Sequence, residues 1–218
     1  MAKIIFYCVQ TGSRGLLPCI KKQKIDEFDF CFVHDNSPEA QRDKGWKYFN
    51  ISNQHTHLGN PKRQRLYRFL PRLLFKDFDY TVYVDSKFYQ SKKFYSLCLQ
   101  IINEEKPNWM TCYHKDKRTF EQEIEYAIEH KNIPETDIKK VISNVSSNKW
   151  VSYDTCWIIR KNTDKNHDIG HKWFELTNRC FSSDCRDQLT LSNCIDRDYV
   201  NTNHSIQELE NHSIIRHV

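Results

Sequence analysis

The sequence predicts an α/β layered domain, and three observations carry that reading. Short continuous apolar runs recur along the chain, segments of helical period lie between them, and several runs end on polar residues such as Thr11, His34-Asp35 and Asp85. A length of 218 residues suits one such domain, by the usual ~100–200 residues per domain. Aromatic residues at 13% and hydrophobic residues at 39% supply a core and argue against disorder despite 28% charged residues. Only 5 glycines and 6 prolines are present, which excludes collagen-like and low-complexity chains and leaves few sites for the positive-φ turns of tight hairpins.

The elements follow in order. Residues 3–9 are an unbroken apolar run that suits a strand buried on both faces, and Thr11-Gly12-Ser13 breaks it. A second strand is expected at 28–33, ending at His34-Asp35-Asn36. Between Asn60 and Phe75 the period changes. Asn60 suits an N-cap and Pro61 a first helical position, and Leu66, Phe69, Leu70, Leu73 and Leu74 follow helical spacing, with Pro71 expected to kink or interrupt the helix. Residues 80–84, β-branched and aromatic, form the strongest strand and end at Asp85-Ser86-Lys87. A helix over 91–105 is stopped by Pro107, and a strand follows at 109–114. Helices are expected over about 118–131 and 135–147, a strand at 155–160, and helices at 168–180 and 187–195. The tail beyond residue 200 has no clear period, and the chain shows no repeat, linker or internal boundary.

Charge and cysteines narrow the classes. A net charge of +5 is a mild basic excess, compatible with a phosphate-bearing ligand, an acidic polymer or solvated lysines, and below what nucleic-acid binders often show. The apolar stretch at the N-terminus is too short for a secretory signal, and no segment reaches the ~18–20 apolar residues of a membrane span. The 9 cysteines are odd in number, include no Cys-x-x-Cys pair and sit partly inside apolar runs, so reduced thiols and no zinc site are expected. Together these features point to a cytoplasmic protein without a membrane span.

Three polar clusters stand where open α/β sheets bind ligands. Asp85-Ser86-Lys87 ends a buried strand, where a carboxylate holds a metal or a ribose hydroxyl, or merely closes a turn. Arg65, Arg68 and Arg72 share one stripe of a helix, which suits phosphate and equally suits a solvated face. Arg63 projects to the edge of the apolar face and needs a partner, either a ligand phosphate or an internal carboxylate. Arg186-Asp187-Gln188-Leu189 opens a helix, where acidic residues are also favoured by the dipole. Asp154 and the Glu121, Glu123, Glu125 series add further carboxylates, of which the glutamates point in different directions on a helix.

In order and spacing these pieces resemble a GT-A-type glycosyltransferase-like family with plant mucilage-related, bacterial surface-polysaccharide and large algal DNA virus members. The resemblance spans about 190 residues: the strand ending Thr11-Gly12, Phe30-Cys31-Phe32-Val33-His34-Asp35-Asn36, Gly45-Trp46, and Pro61-Lys62-Arg63-Gln64-Arg65-Leu66-Tyr67-Arg68. It continues through Tyr83-Val84-Asp85-Ser86 and Trp157-Ile158-Ile159-Arg160 to Arg186-Asp187-Gln188-Leu189-Thr190. Among such members the chain resembles a chlorovirus capsid-decorating one.

The resemblance implies one glycosyltransferase domain with a mixed, mostly parallel central sheet flanked by helices. A Rossmann-like nucleotide-sugar-binding half over 1–115 is followed by an acceptor-side half over 116–200 and a tail over 201–218. It also implies transfer of a hexosyl or deoxyhexosyl group from a UDP-sugar to a glycan or glycoprotein, with no nucleic-acid partner. Thr11 and Asp35 would lie near the uracil and ribose, and Arg63 with Arg65 or Arg68 near the diphosphate. Asp85 matches the first carboxylate of the family's Asp-x-Asp motif and would hold Mn²⁺ or Mg²⁺, with Ser86 beside it. Lys87 replaces the second carboxylate, and a protonated lysine neutralises diphosphate but ligates no cation. Inverting transfer needs a base, for which Asp154 and Asp187 are the two catalytic candidates; Asp154 is preferred, with Asp187 instead holding sugar hydroxyls alongside Gln188. Trp157 and Trp173 are read as core residues before acceptor platforms. Two rivals are a metal-dependent nuclease using Asp85-Ser86-Lys87, and an inactive transferase-like binding module.

Overall fold

Side chains of the first strand, β1 (Ile4–Gln10), alternate between two cores. The computed structural model of the chain describes residues 2–11, 29–35, 47–85, 88–89, 92–131, 133–182, 186–205 and 215–216. Ile4, Phe6 and Cys8 enter one core with Phe30, Phe32, Val82, Phe94, Cys98 and Ile101, whereas Ile5, Tyr7 and Val9 enter the other with Cys31, Val33, Leu66, Phe69 and Trp173.

The strands are β1, β2 (Asp29–His34), β3 (Lys47–Asn50), β4 (Tyr80–Val84), β5 (Phe88–Tyr89), β6 (Trp109–Tyr113), β7 (Tyr153–Lys161), β8 (Val200–Asn201) and β9 (Ile215–Arg216). The helices are α1 (Asn60–Phe69), α2 (Arg72–Phe75), α3 (Lys92–Glu104), α4 (Phe120–Lys131), α5 (Glu135–Asn144), α6 (Asp164–Cys180) and α7 (Gln188–Leu191). A 7-stranded sheet has the order β3-β2-β1-β4-β7-β6-β8, and β5 pairs separately with β9. The first four strands of that order run parallel, β7 runs antiparallel to both β4 and β6, and β8 runs parallel to β6. The sheet is therefore mixed and mostly parallel, flanked by α3 on one face and by α1 and α6 on the other. A third cluster joins α4, α5 and α7 to the end of α6 through Phe120, Ala127, Ile138, Val141, Cys180 and Leu189.

Local chemistry explains where the elements depart from the expected ones. Asn60 is not the N-cap of α1: Gly59 holds that position, and Asn60 is the first helical residue. Pro71 interrupts the helix as expected, because a residue before proline is pushed out of the α region, and Leu70 sits at φ −120°, ψ 60°. Pro71 itself, at φ −61°, then starts the short α2. Helix α6 begins four residues before the expected 168, since Thr163 caps it by accepting the Asn166 N–H at 3.3 Å, and its polar first turn carries no apolar period. Helix α7 is far shorter than 187–195, with every residue buried and so no amphipathic face. Asp154 lies inside β7 rather than ahead of it. Strands β3 and β8 were not expected at all: β3 is an exposed edge strand without an apolar run, and β8 has only 2 residues.

The carboxyl end of α1 is fixed by buried polar groups from the sheet. Arg160, 2% exposed on β7, donates from Nη2 to the Arg68 carbonyl at 2.6 Å and from Nη1 to the Phe69 carbonyl at 3.0 Å. A guanidinium there satisfies end carbonyls and matches the negative end of the helix dipole. The Tyr7 hydroxyl also donates to the Arg68 carbonyl, at 3.0 Å. Burial above all pushes the Tyr7 hydroxyl up to about 12, so it stays protonated as a donor. Phe69 stacks on Trp173 of α6 at 3.6 Å between ring centroids. Trp157 and Trp173 are core residues, 2% and 0% exposed. The described cysteines are all free thiols, and among the described residues no helix is long and apolar enough to cross a membrane.

Candidate functional site

The carboxyl ends of β1, β2 and β4 come together along one rim of the sheet. Gln10 pairs with His34, so Thr11 and Asp35 stand one residue beyond that pair. Both are buried. The Thr11 hydroxyl donates to the Asn60 carbonyl at 2.6 Å, which ties the rim to the start of α1. Arg63 then meets its partner, and it is an internal carboxylate. Its Nη2 lies 2.5 Å from Asp35 Oδ2 and 2.9 Å from Asn60 Oδ1, while Nη1 donates to the Ser52 carbonyl at 3.3 Å. Two desolvated charges of opposite sign are mutually needed in such a place, and removing either strands the other.

The second group centres on Arg68, one turn further along α1. Its Nη1 lies 2.6 Å from Asp187 Oδ2, its Nη2 lies 4.0 Å from Asp85 Oδ1, and Nη2 also donates to the Thr155 carbonyl. The Thr155 hydroxyl donates to Asp187 Oδ1 at 3.2 Å, and the Tyr83 hydroxyl donates to Asp85 Oδ1 at 2.5 Å. Burial opposes the Arg68 charge, but Asp187, Tyr83 and Asp85 outweigh it and raise its pKa well above the ordinary value. Burial likewise lifts the Tyr83 hydroxyl well above its usual range, so it remains a donor to Asp85. Two of the three stripe arginines, Arg65 and Arg68, are accordingly not solvated, whereas Arg72 stands 36% exposed beside the 90% exposed Asp164. The Arg68 side chain is only 12% exposed, Arg65 is buried with Nη1 donating to Asn178 Oδ1 at 2.7 Å, and Arg72 pairs with Asp164.

Asp187 is positioned from behind. The Trp173 indole N–H lies 3.1 Å from both the Asp187 carbonyl and Thr190 Oγ1. Gln188 follows it in α7 and is buried. Asp154 belongs to a different neighbourhood. The pairing of β6 with β7 shifts register between Met110 and Cys112, and the Thr111 hydroxyl is shared between the Asp154 and Trp157 carbonyls across that irregularity. Such bulges re-aim side chains next to sites. Asp154 is 3% exposed, and its Oδ1 accepts the Cys156 N–H at 2.8 Å.

Close to Asp154 stands His114, whose ring burial holds its pKa below the usual imidazole value despite the charges of Asp154, Glu123 and Asp116. Of the three spaced glutamates only Glu123 is buried, where Arg118 at 3.1 Å and Arg186 at 2.5 Å hold it. His114, Tyr83 and Thr155 were missed by sequence reasoning. Tyr83 is the last but one residue of β4 and His114 follows β6, positions near strand ends that mark candidates, but nothing in the sequence gives Thr155 its contact with Asp187.

The structure thus brings Thr11, Asp35 and Arg63 into one group, and Arg68, Asp85 and Asp187 into another. Ser86 and Lys87 lie outside the described residues, as do Gly12, Asn36 and Gly45-Trp46. Among the described residues no three His, Cys, Asp or Glu side chains are gathered to hold a metal. Asp85, 21% exposed, fits a different kind of site. A hydrated Mg²⁺ or Mn²⁺ that draws most ligands from phosphate and water needs only one or two carboxylates.

No protein-family model and no curated protein matches the sequence. Solved structures match it in fold. Mouse xyloside xylosyltransferase 1 in its apo form aligns with a TM-score of 0.53 at 9% identity, covering 92% of this chain and 84% of that one. The apo bifunctional glycosyltransferase WbbM aligns at 0.52 and 8% identity over 92% of this chain, which spans only 38% of WbbM. The galactosyltransferase LgtC, in complex with donor and acceptor sugar analogues, aligns at 0.51 and 11% identity over 90% of this chain and 72% of that one. At these identities the likeness is one of architecture, and the chain carries the GT-A-type fold of glycosyltransferases.

Proposed function

We propose that this chain is a glycosyltransferase that moves a sugar from a UDP-sugar to a glycan or glycoprotein acceptor. The observation that carries the reading is the Arg68 bridge, a buried cation set between Asp85 and Asp187 at the strand-end rim of a GT-A-type sheet. Residues 1–115 would hold the donor and 116–200 the acceptor, with 201–218 a tail. The nucleoside would lie over Thr11 and Asp35, with Arg63, Arg65 and Arg68 on the diphosphate side. Asp85, beside Ser86 and Lys87, would hold Mn²⁺ or Mg²⁺, which when bound supplies positive charge to the leaving diphosphate.

Asp187 is the better sugar ligand of the two candidate carboxylates, because Arg68 and Thr155 already fix its oxygens. Asp154 is left as base: it takes the acceptor hydroxyl proton as the acceptor oxygen bonds to the anomeric carbon and the bond to the β-phosphate oxygen breaks, so UDP leaves with that electron pair. The outcome is inversion. A hexosyl or deoxyhexosyl donor and a viral capsid glycoprotein acceptor are the finer form of this proposal, supported by the sequence resemblance. The test is release of UDP from a panel of UDP-sugars, with Asp154→Asn and Asp187→Asn compared. The expected result is turnover that Asp154→Asn abolishes while UDP still binds. Failure of every UDP-sugar to bind overturns the reading.

A further inference from the structure

Helix α6 carries a second chemistry remote from the rim. His167 and His171 are one turn apart, and their Nε2 atoms lie 3.2 Å from each other with the rings at 85°, centroids 4.6 Å apart. Side chains at i and i+4 share one helix face. His171 is exposed and His167 half-buried, and the Nδ1 atom of His167 is buried without a hydrogen-bond partner, so Nε2 is the nitrogen that this ring presents outward. Asp164 and Asp168 act on His167 as negative charges and Arg72 as a positive one, itself paired with Asp164, while Asp168 also lines a pocket with Lys165 and Lys172.

We propose that His167 and His171 form a bidentate site for a borderline divalent transition metal, of the class of Zn²⁺, Ni²⁺ or Cu²⁺. The geometry is that of a chelate. With metal–nitrogen bonds of ~2.0–2.1 Å, two nitrogens 3.2 Å apart subtend about 100° at the metal, between square and tetrahedral values. Imidazole nitrogen suits these metals, whereas Mg²⁺ and Mn²⁺ prefer oxygen. Water completes the shell, since no third His, Cys, Asp or Glu among the described residues is gathered with the pair. The site is separate from Asp85. Helix α6 starts just after Lys161, which pairs with Tyr80 at the beginning of β4, so the histidines stand toward the opposite end of the sheet. It requires nothing of the transferase reading.

A hydrogen bond between the two rings is the competing account of the same distance, and zinc separates the two. The experiment titrates Zn²⁺ into the full chain under reducing conditions, by calorimetry and by thermal unfolding. His171→Ala is the main variant, because an exposed side chain is lost without disturbing the core, and His130→Ala, an exposed histidine at the end of α4, is the control. The expected result is one micromolar site in the unaltered chain and in the control. In His171→Ala, loss of the chelate weakens binding by about 10²-fold or more. Zinc raises the unfolding temperature of the unaltered chain and not of that variant. Equal zinc affinity in the unaltered chain and His171→Ala overturns the proposal, as does the absence of micromolar binding.

Discussion

Replacing Arg68 by methionine roughly keeps the volume and removes the positive charge that stands between Asp187 and Asp85. The magnitude follows from the geometry. The Arg68–Asp187 pair is 2.6 Å long between side chains 12% and 10% exposed, so it belongs with buried pairs. Breaking such a pair from one side costs about 3–5 kcal/mol, because the remaining carboxylate is left desolvated and uncompensated. The lost bond to the Thr155 carbonyl falls within that sum, and Asp85 adds little, being 4.0 Å away and 21% exposed. For a domain of this size each kcal/mol moves the unfolding temperature by about 2–4 °C, which puts the expected fall at about 6–20 °C. Calorimetric melts and urea unfolding at pH 7 measure it. The double variant with Asp187→Asn should regain part of the loss, since the stranded charge is then gone. A single-variant loss below about 1 kcal/mol, the range of an exposed pair, would refute the buried-bridge reasoning.

Two further predictions test the frame around the site. Gly170 faces α1 so closely that a Cβ there would meet the Phe69 carbonyl oxygen and stand 3.1 Å from Leu70 Cδ2. Gly170→Ala should therefore destabilise by about 1–3 kcal/mol, although alanine in an open helix gains about 1 kcal/mol over glycine; a melt showing a gain sinks the claim. Asp137, 1% exposed, accepts from Lys140 at 2.8 Å and from the Ser182 N–H and hydroxyl at 2.9 Å each. Burial pushes its carboxyl up, but these donors outweigh burial and hold the pKa below the ordinary value. A depressed folded pKa contributes stability that is full above the unfolded value of about 3.9 and is lost as pH falls through the folded one. Asp137→Asn should thus cost about 1–3 kcal/mol at pH 7, with the gap to the unaltered chain closing below about pH 4. A gap that stays constant into acid contradicts the assignment.

The interior of the fold was legible in the sequence because its strands are buried on both faces. β1, β2, β4 and most of β7 read as apolar runs for that reason, and α3 through its spaced Phe94, Leu97, Cys98, Ile101 and Ile102. The edges were not. β3 pairs on one side only with exposed ends, and β8 contributes a two-residue pairing to β6, so neither leaves a periodic trace.

The site shows the same division. That Arg63 required a partner followed from its place on the helix, but Asp35 as that partner depends on β1 and β2 lying side by side. The Arg68–Asp187 bridge joins α1 to the loop before α7, and the register shift that Thr111 spans is a property of pairing that no local pattern encodes. That Arg65 and Arg68 leave the solvated face is a matter of tertiary burial rather than helix periodicity, and Arg72, 36% exposed, stays on it.

The central claim is that the rim holds a uridine diphosphate, and calorimetric titration of UDP with and without Mn²⁺ tests it most directly. The account predicts saturable binding in about the micromolar-to-millimolar range, strengthened by Mn²⁺ and weakened by Asp85→Ala. UDP that binds in neither condition, with the chain folded by its melting curve, would contradict it.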